Sequence, residues 1–321
     1  MSRPPVAKLA SRFRQYAEIT KPIKVLENPG RAFATELLGL PGVYRFVSGL
    51  SFPCNKESLR LSRELIRLAY EGAWIVDSRT SDPTAWRMDL GSGVLTTPSG
   101  VRFDANTIDA VVLSETFLYD IHFQGFDHSS RTVLDVGANI GDTALYYANK
   151  GARVLAFEPD PSNFAALTRN IALNPSLASR IRIFREAVGI DGTVVFKAGL
   201  RGGSGIYARG GDPIPVHSVS LKTILEREGI VAPFLLKSDS KGAEFQFVCQ
   251  PEIGEFERLA IEYSADLLHK DVADLLTPLR AAGFSNLRVF KHNGLPYYLR
   301  EAGTVFASRG EPQQDSRGLD C

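Results

Sequence analysis

The sequence predicts an α/β protein with a mostly parallel central sheet, and three features of the chain support this. Short apolar segments alternate with helical patterns from about residue 127 to residue 308. An apolar segment that begins at Thr132 ends in a glycine turn, Gly137 to Gly141, and leads directly into a helical pattern. The last two apolar segments are joined by a hairpin-like connection near Asn293 rather than by a helix. Alternating strands and helices form a doubly wound parallel sheet, and the hairpin-like connection makes the last strand antiparallel.

Seven strands and five helices are expected in this region, as in a Rossmann-like sheet. Pro161 favours a helix start, because proline suits the first turn of a helix. Gly283 stands where a glycine commonly ends a helix. The strand candidates are 133–137, 153–158, 181–185, 234–238, 258–263, 286–291 and 303–308. The helix candidates are 142–150, 161–173, 220–228, 243–249 and 270–282.

The first third of the chain predicts a separate extension of helices and a small antiparallel sheet. Residues 25–82 carry mainly helical patterns, and short strand-like segments separated by turn residues follow, up to Phe103. A helix over 109–126 is expected to lead into the sheet. The expected regions are an extension over 1–110, a sheet domain over 111–308 and a polar, disordered tail over 309–321.

Composition narrows the class of protein. The formal net charge of the 321 residues is +1, so the overall charge does not indicate a nucleic-acid partner. The three cysteines lie far apart, and no apolar segment approaches the roughly 18 residues of a membrane span. We therefore expect a cytoplasmic protein. Residues 1–24 are basic and could dock on an anionic membrane or a partner, although a solvated terminal helix packed on its own domain is the favoured interpretation.

The first strand–turn–helix–strand unit indicates a nucleoside-binding site. Glycines in the turn lack a Cβ, so a ligand can approach the backbone closely. The second strand ends on Glu158, 21 positions after Gly137, and an acid at this place can accept hydrogen bonds from ribose hydroxyls. Asn139 occupies the position where a dinucleotide fingerprint has its middle glycine, so a turn that binds pyrophosphate is not indicated.

The charge of the same region favours S-adenosylmethionine over NAD as the cofactor. S-adenosylmethionine has no phosphate and carries a positive sulfonium, which is attracted by carboxylates. Asp135, Glu158 and Asp239 are the candidate carboxylates. A βαβ unit that binds nothing is the alternative, and the acids beside the turn make it the weaker one.

Several motifs follow one another along the chain, over 134–143, 156–159, 170–174, 186–189, 219–225, 236–244 and 261–263. In these motifs the chain resembles the FkbM family of S-adenosylmethionine-dependent methyltransferases. The order and spacing of the motifs hold over somewhat more than half of the chain. The resemblance implies methyl transfer to a hydroxyl, often on a sugar or a polyketide-like secondary metabolite.

The resemblance also implies roles for individual residues. Glu158 would hold the ribose, Glu186 and Ala187 would flank the adenine, and Asp239 would lie near the methyl group. The methionine and ribose side would be lined by Asp135, Gly137, Asn139 and Gly141. The remaining members of the expected cofactor set are Ala138, Asp142 and Pro159.

This chain departs from the family pattern at two positions. Lys241 stands where the family often has an acid, and Ser264 stands where it often has a histidine. Both departures bear on the acceptor and on any general base, and neither lies in the cofactor pocket.

Three residues are candidates for the chemistry of the acceptor. Asp239 either acts as a general base or supports the sulfonium electrostatically, because strand-end carboxylates face the crevice in this fold class. Lys237 is either a charge at the rim or the group that orients the acceptor oxygen. Glu262 ends a strand and could bind substrate hydroxyls. No metal is expected, because two separated acids such as Asp239 and Glu262 are not a ligand signature.

The sequence therefore predicts an S-adenosylmethionine-dependent methyltransferase that methylates a hydroxyl on a sugar, glycan or secondary metabolite. A catalytically inactive, methyltransferase-like partner module is one alternative, motivated by Lys241 and Ser264. A nicotinamide-dependent oxidoreductase is a less favoured one. The glycine-rich run 199–205 is either a mobile active-site loop or the tip of a hairpin. The oligomeric state is not indicated.

Overall fold

The computed structural model describes residues 24–121, 126–200, 203–265, 268–291 and 302–310. The chain divides into two compact units, Met1–Asp120 and Ile121–Cys321. Nearly all of the basic segment 1–24 and most of the tail 309–321 lie outside the described residues, so the expectations for them stay predictions. Among the helices that are described, none is long and apolar enough to cross a bilayer.

The first unit combines helices with two small sheets. Its elements are α1 Pro29–Leu38, β1 Gly42–Arg45, β2 Ser51–Cys54, α2 Leu59–Tyr70, β3 Ile75–Asp77, β4 Trp86–Asp89, β5 Val94–Thr96, β6 Arg102–Asp104 and α3 Ala110–Phe117. The interpretation of 25–82 as mainly helical was wrong in part, because the antiparallel pair β1–β2 and strand β3 lie within it. Strands β4 to β6 form the predicted antiparallel meander. The helix predicted over 109–126 ends at Phe117.

The second unit contains the alternating strands and helices. Its elements are β7 Thr132–Val136, α4 Asp142–Asn149, β8 Arg153–Phe157, α5 Pro161–Ala172, α6 Pro175–Ala178, β9 Ile181–Phe184, β10 Ala187–Val188, β11 Gly192–Ala198, β12 Asp212–Val219, α7 Leu221–Glu228, β13 Leu235–Asp239, α8 Glu244–Phe247, β14 Arg258–Ser264, α9 Ala273–Ala281, β15 Asn286–Lys291 and β16 Ala302–Ser308. Each predicted strand of the main sheet is present within two residues of its predicted ends.

The main sheet has seven strands in the order β15-β16-β14-β13-β7-β8-β9. Strands β9, β8, β7, β13 and β14 are parallel to one another, whereas the last strand, β16, is antiparallel to both of its neighbours, β14 and β15. The mostly parallel sheet with an antiparallel last strand is thereby confirmed. The chain runs outward from β7 in one direction through β8 and β9, and in the other through β13 and β14. Ligands of such sheets bind at this switch point, beyond the carboxyl ends of the strands.

Burial explains why the strands were readable in the sequence. The central residues Leu134, Leu155, Leu236 and Leu259 are fully buried, one from each of four neighbouring strands. A parallel strand that is covered on both faces needs a continuous apolar run rather than an alternating one. The polar residues at the strand ends therefore stand out, and they are the residues that reach the crevice.

A second, smaller sheet was not predicted. Strands β11 and β12 form an antiparallel hairpin that pairs Gly192 with Ser218 and Ala198 with Asp212, and β10 pairs with β12 in parallel. Its own small core contains Phe196 and Val216. The glycine-rich run 199–205 connects the two strands of the hairpin, although residues 201 and 202 are outside the described part. The run is thus part of a hairpin connection, and because its Ser204 lines the cleft, a role as a mobile active-site loop stays a prediction.

Candidate active site

A cleft opens at the carboxyl ends of β7, β8 and β13. It lies at the switch point of the sheet, where the topology predicts a ligand site. The small sheet supplies the facing wall. The cleft is lined by Val136, Gly137, Asn139, Phe157, Glu158, Pro159, Asn163, Glu186, Ala187, Val188, Phe196, Ser204, Ile206, Asp239, Ser240, Lys241 and Ala243.

The turn after β7 brings bare backbone to the floor of the cleft. Gly137 has a φ of +75°, and its N–H and that of Ala138 both donate to the carbonyl of Phe157, at 2.9 and 3.0 Å. A Cβ on Gly137 would lie 2.1 Å from the carbonyl oxygen of Asp239. Only glycine fits here, because the turn after β7 and the end of β13 touch through backbone atoms.

Glu158 is the acid at the end of β8, and its carboxylate is fixed from two sides. The backbone N–H of Asn139 donates to Oε2 and that of Asp160 donates to Oε1, both at 2.8 Å. The residue is 4% exposed. Burial raises the pKa of Glu158 to about 8, although the two backbone N–H groups act in the opposite direction. The carboxyl group is therefore held at the cleft in a fixed orientation and is poised to change charge near neutral pH.

Lys237 lies beneath the cleft and not at its rim. Its ammonium is 3.0 Å from Asp135 Oδ1 and donates to the carbonyl of Gly137 at 3.1 Å. The other oxygen of Asp135 accepts from the hydroxyl of Thr143 at 2.6 Å. Burial lowers the pKa of Lys237, but the surrounding carboxylates raise it by more, Asp135 most of all, so the ammonium stays charged. The alternative of a rim charge is wrong, because Lys237 is 6% exposed.

Lys241 lines the cleft, contrary to the expectation that it lies outside the cofactor pocket, and it connects the ends of two neighbouring strands. Its ammonium is 2.5 Å from Asp239 Oδ1 and 3.1 Å from Glu262 Oε1. Burial lowers the pKa of Lys241, yet the two carboxylates hold it well above the ordinary value. The residue has a φ of +49°, and Gly242 after it has a φ of +107°. A β-carbon on Gly242 would lie 2.7 Å from the ring of Tyr207, so this tight turn requires glycine.

Glu186 faces the cleft from the end of the next strand and is clamped by an arginine. Nη1 and Nη2 of Arg227 donate to its two oxygens at 2.9 and 2.8 Å. The guanidinium also lies 4.7 Å from the centre of the Phe184 ring, which stacks on Phe157 with 4.8 Å between centroids. This arrangement fixes the segment that leads into Ala187.

Sequence reasoning missed Asp160 and the cleft-lining residues of the small sheet. Asp160 caps helix α5 through Oδ1, and its Oδ2 accepts from the backbone N–H of Gly199 and from the hydroxyl of Ser204, both at 2.8 Å. The Asp160 side chain therefore joins the Glu158 segment to the hairpin. Phe196 and Ile206 of this hairpin line the cleft. The strand-like run 194–196 was the available signal for this hairpin.

The structure gathers most of the predicted cofactor residues at the cleft and places four behind it. Those lining it are Gly137, Asn139, Glu158, Pro159, Glu186, Ala187 and Asp239. Those not lining it are Asp135, Ala138, Gly141 and Asp142. Asp135 and Gly141 do not line the cleft in this structure, and the expectation that they contact the cofactor stays a prediction. A Cβ on Gly141 would meet Leu167 at 2.6 Å, in helix α5, and Asp135 is turned to Lys237.

Of the three predicted catalytic residues, only Asp239 lines the cleft. Glu262 is linked to it through Lys241, and Lys237 is linked to it through the Gly137 turn. Within the part of the chain that the structure describes, no group of three or more His, Cys, Asp or Glu side chains is arranged to hold a metal ion.

Comparison with known proteins identifies the class. Residues 135–285 match the family model described as the methyltransferase FkbM domain. The methyltransferase sdnD of Sordaria araneosa is 46% identical over 52 residues, which cover 16% of this chain and 20% of that protein. The solved structure of a methyltransferase FkbM from Methylobacillus flagellatus KT has 20% identity and a TM-score of 0.42, over 61% of this chain and 47% of that one. The precorrin-6y C5,15-methyltransferase of Geobacter metallireducens GS-15 has 13% identity and a TM-score of 0.34, over 62% and 87%.

Residues 135–285, somewhat less than half of the chain, thus match the methyltransferase FkbM domain, and all of the described residues that line the switch-point cleft lie within this segment. The chain spans about a fifth of the length of the curated relative and about half that of the FkbM structure.

Proposed function

We propose that this protein transfers the methyl group of S-adenosylmethionine to a hydroxyl of a sugar, glycan or secondary metabolite. The observation that carries the proposal is Glu158, whose buried carboxyl group lines the cleft and is fixed by two backbone N–H groups. Each oxygen of a carboxylate can accept more than one hydrogen bond. Glu158 can therefore accept from the two hydroxyls of a ribose without losing its own supports.

The other residues of the cleft also fit this cofactor. The Gly137 turn leaves no room for a Cβ and offers bare backbone to a nucleoside. Phe157 lines the cleft and stacks on Phe184, and Glu186 and Ala187 line the cleft as well. This part of the cleft suits a flat base. Asp239 brings a carboxylate to the floor, where a positive sulfonium is stabilised.

The rate of methyl transfer depends mainly on how the two reactants are positioned. S-adenosylmethionine, when bound, supplies a methyl group on an activated, positively charged sulfur. Alignment of two reactants is worth roughly 7–11 kcal/mol in favourable cases. The fixed carboxyl of Glu158 and the Gly137 turn would hold S-adenosylmethionine. The ends of β13 and β14 lie next to them and would hold the hydroxyl acceptor.

For Asp239 we propose electrostatic support rather than general-base catalysis. The ammonium of Lys241 forms an ion pair with Asp239, 2.5 Å from Oδ1. A carboxylate paired with an ammonium is a weaker base than a free one. Its negative charge still acts on a sulfonium, because the ion pair with Lys241 and Glu262 has one carboxylate more than it has ammonium groups.

The proposal is tested by calorimetric titration with S-adenosylmethionine, S-adenosylhomocysteine and NAD. We expect both sulfur nucleosides to bind in the micromolar range or tighter, NAD not to bind, and Glu158→Ala to lose the binding. Glu226→Ala is the matched control, because Glu226 is an exposed acid on α7 whose contact is with Lys222. Absence of binding to either sulfur nucleoside would reject the proposal and favour the inactive partner module.

A further inference from the structure

The ends of β13 and β14 present two acids side by side. Asp239 and Glu262 are register partners on neighbouring parallel strands. Partner residues of adjacent strands point to the same face, about 4.8 Å apart between strands, and like charges placed opposite one another destabilise a sheet. Some positive charge must therefore accompany these carboxylates at neutral pH.

Lys241 supplies that charge from within the chain. Its ammonium lies between the two acids, 2.5 Å from Asp239 and 3.1 Å from Glu262. Lys241 reaches this place from a turn with a positive φ of its own, and a non-glycine residue in that region of backbone space is uncommon. Such outliers persist where the surroundings fix them, and they cluster at functional sites.

The surroundings of Lys241 hold the turn firmly. Glu244 is fully buried and accepts from the backbone N–H of Gly242 at 2.7 Å and from that of Ser264 at 2.9 Å, so one side chain joins the turn to β14. Gly205 of the small sheet packs against the turn, since a Cβ on it would lie 3.0 Å from Cβ of Lys241. The turn is thus fastened from both sides.

Two carboxylates on adjacent strand ends, with a cation between them, are also an arrangement that hard divalent cations use, because such cations bind carboxylate oxygens. We propose that Lys241 is a positioning residue that serves as an internal counterion at this edge and occupies the place of a divalent cation. It holds Asp239 and Glu262 as one unit with a single net negative charge. Only the assignment of this edge to the methyl acceptor rests on the proposed function.

The test is a titration of the full-length protein with Mn²⁺, followed by calorimetry and by the electron paramagnetic resonance of free Mn²⁺. Lys241→Glu replaces the ammonium by a third carboxylate. We expect it to bind Mn²⁺ at least about tenfold more tightly than the unchanged protein does, because Mn²⁺ prefers carboxylate ligands. Adding Glu262→Gln to Lys241→Glu should abolish the gain. The proposal is overturned if the unchanged protein binds Mn²⁺ as tightly as Lys241→Glu, or if folded Lys241→Glu gains no site.

A second variant covers the case in which Lys241→Glu does not fold. Lys241→Gln keeps a side chain of similar size and removes only the charge, and Lys222→Gln on the exposed face of α7 is the matched control. Mn²⁺ should raise the melting temperature of Lys241→Gln and leave those of the control and the unchanged protein alone. An equal response of all three proteins would refute the counterion role. A purely structural lysine would not produce the expected difference between Lys241→Gln and the other two proteins.

The outcome is separable from that of the proposed function. Binding of S-adenosylhomocysteine tests the nucleoside cleft, whereas Mn²⁺ tests the ends of β13 and β14. If the nucleoside does not bind and the Mn²⁺ pattern is found, the cofactor proposal fails and the role of Lys241 stands. If the nucleoside binds and the Mn²⁺ pattern is missing, the reverse holds.

Discussion

At the scale of the residue, Glu158 is subject to two opposing influences. Burial disfavours its charge, whereas the backbone N–H groups of Asn139 and Asp160 favour it. The balance raises its pKa to about 8, so most of the free protein carries a neutral Glu158 at pH 7. A neutral carboxyl is a poorer acceptor for ribose hydroxyls than a carboxylate is. The strand-end acid is thus set to bind its ligand in a way that depends on pH.

We expect the affinity for S-adenosylhomocysteine to rise as pH increases from 6.5 to 8.5. Because the pKa of Glu158 is raised, the carboxylate that binds ribose is present above about pH 8 and is lost as pH falls through that value. The gain should be roughly twentyfold over these two pH units, since with a pKa of about 8 the charged fraction of Glu158 rises from about 3% at pH 6.5 to about 76% at pH 8.5. Calorimetry at five pH values measures it.

Glu158→Gln is the control for this pH dependence. We expect it to bind more weakly at every pH, because its amide N–H groups face backbone donors, and to show a flat profile. A slope in Glu158→Gln equal to that of the unchanged protein would assign the titration to another group.

The glycine of the cleft floor gives a second prediction at this scale. Gly137→Ala should destabilise the protein by more than about 3 kcal/mol, because its Cβ would lie 2.1 Å from a backbone oxygen that cannot easily move. Gly229→Ala is the matched control, since Gly229 has a similar φ of +62° and nothing within 4 Å of its Cβ. It should cost only about 1–2 kcal/mol of backbone strain. Urea unfolding compares the stabilities of the two variants. Equal losses would show that the positive φ, and not the contact with the Asp239 backbone, determines the loss of stability.

At the scale of the element, the hairpin β11–β12 is the wall that completes the cleft. Its residues Phe196, Ser204 and Ile206 line the opening across from the main sheet. It is joined to the main sheet through Asp160, which also caps helix α5. Burial raises the pKa of Asp160, but the hydrogen bonds that Ser162, Gly199 and Ser204 donate to it lower the pKa by more, so its carboxylate is charged at neutral pH.

Ser204→Ala should weaken S-adenosylhomocysteine binding about threefold to tenfold with little change in melting temperature. It removes one of the two bonds from Asp160 Oδ2 to the hairpin, and a hydrogen bond to a charged group is worth about 1.5–3 kcal/mol before relaxation. Ser162→Ala is the matched control, because that hydroxyl donates to Oδ1 of the same carboxylate on the helix side. The two variants are compared by calorimetry. An equal loss of affinity in both would mean that the carboxylate, and not the hairpin, sets the affinity.

The main sheet could be predicted from the sequence because its strands are buried on both faces. Continuous apolar runs such as 133–136 and 153–157 mark such strands without any knowledge of their neighbours. The hairpin could not be predicted in the same way, since Val195 on β11 is 60% exposed and Pro213 and Pro215 interrupt β12. The hairpin offers only the short apolar run 194–196 as a signal, and prolines inside a segment argue against assigning it as a strand.

Within the site, the sequence indicated the residue types but not their partners. Glu158 could be found because it directly follows a buried strand. The pair of Lys237 with Asp135 joins residues that are far apart in the chain, and so does the bridge from Lys241 to Glu262. Local patterns contain no information about such contacts, which depend on the order of the strands in the sheet. The departure at Lys241 was visible in the sequence, whereas its position between two acids became visible only in the fold.

At the scale of the whole molecule, each compact unit has its own core. In the first unit, the buried rings of Trp86 and Phe103 meet Phe117 edge to face, with centroids 6.2 and 5.7 Å apart. In the second unit, the core follows the main sheet. The described residues that line the cleft all belong to this second unit. Trp74 and Trp86 are the two tryptophans of the chain and both lie in the first unit. Tryptophan emission therefore reports on that unit alone.

Hydrogen exchange with and without S-adenosylhomocysteine should locate the ligand in the second unit. A ligand that binds only the folded state at a hundredfold excess over its dissociation constant adds about 2.7 kcal/mol of stability, which slows exchange in the elements that hold it. We expect slower exchange in peptides spanning 132–142 and 153–163, which carry the glycine turn and Glu158. Glu158→Ala, checked by circular dichroism to be folded, should show no such protection. Protection confined to peptides from 24–120 would place the nucleoside in the first unit and overturn the assignment of the cleft, because none of the cleft's described lining residues comes from there.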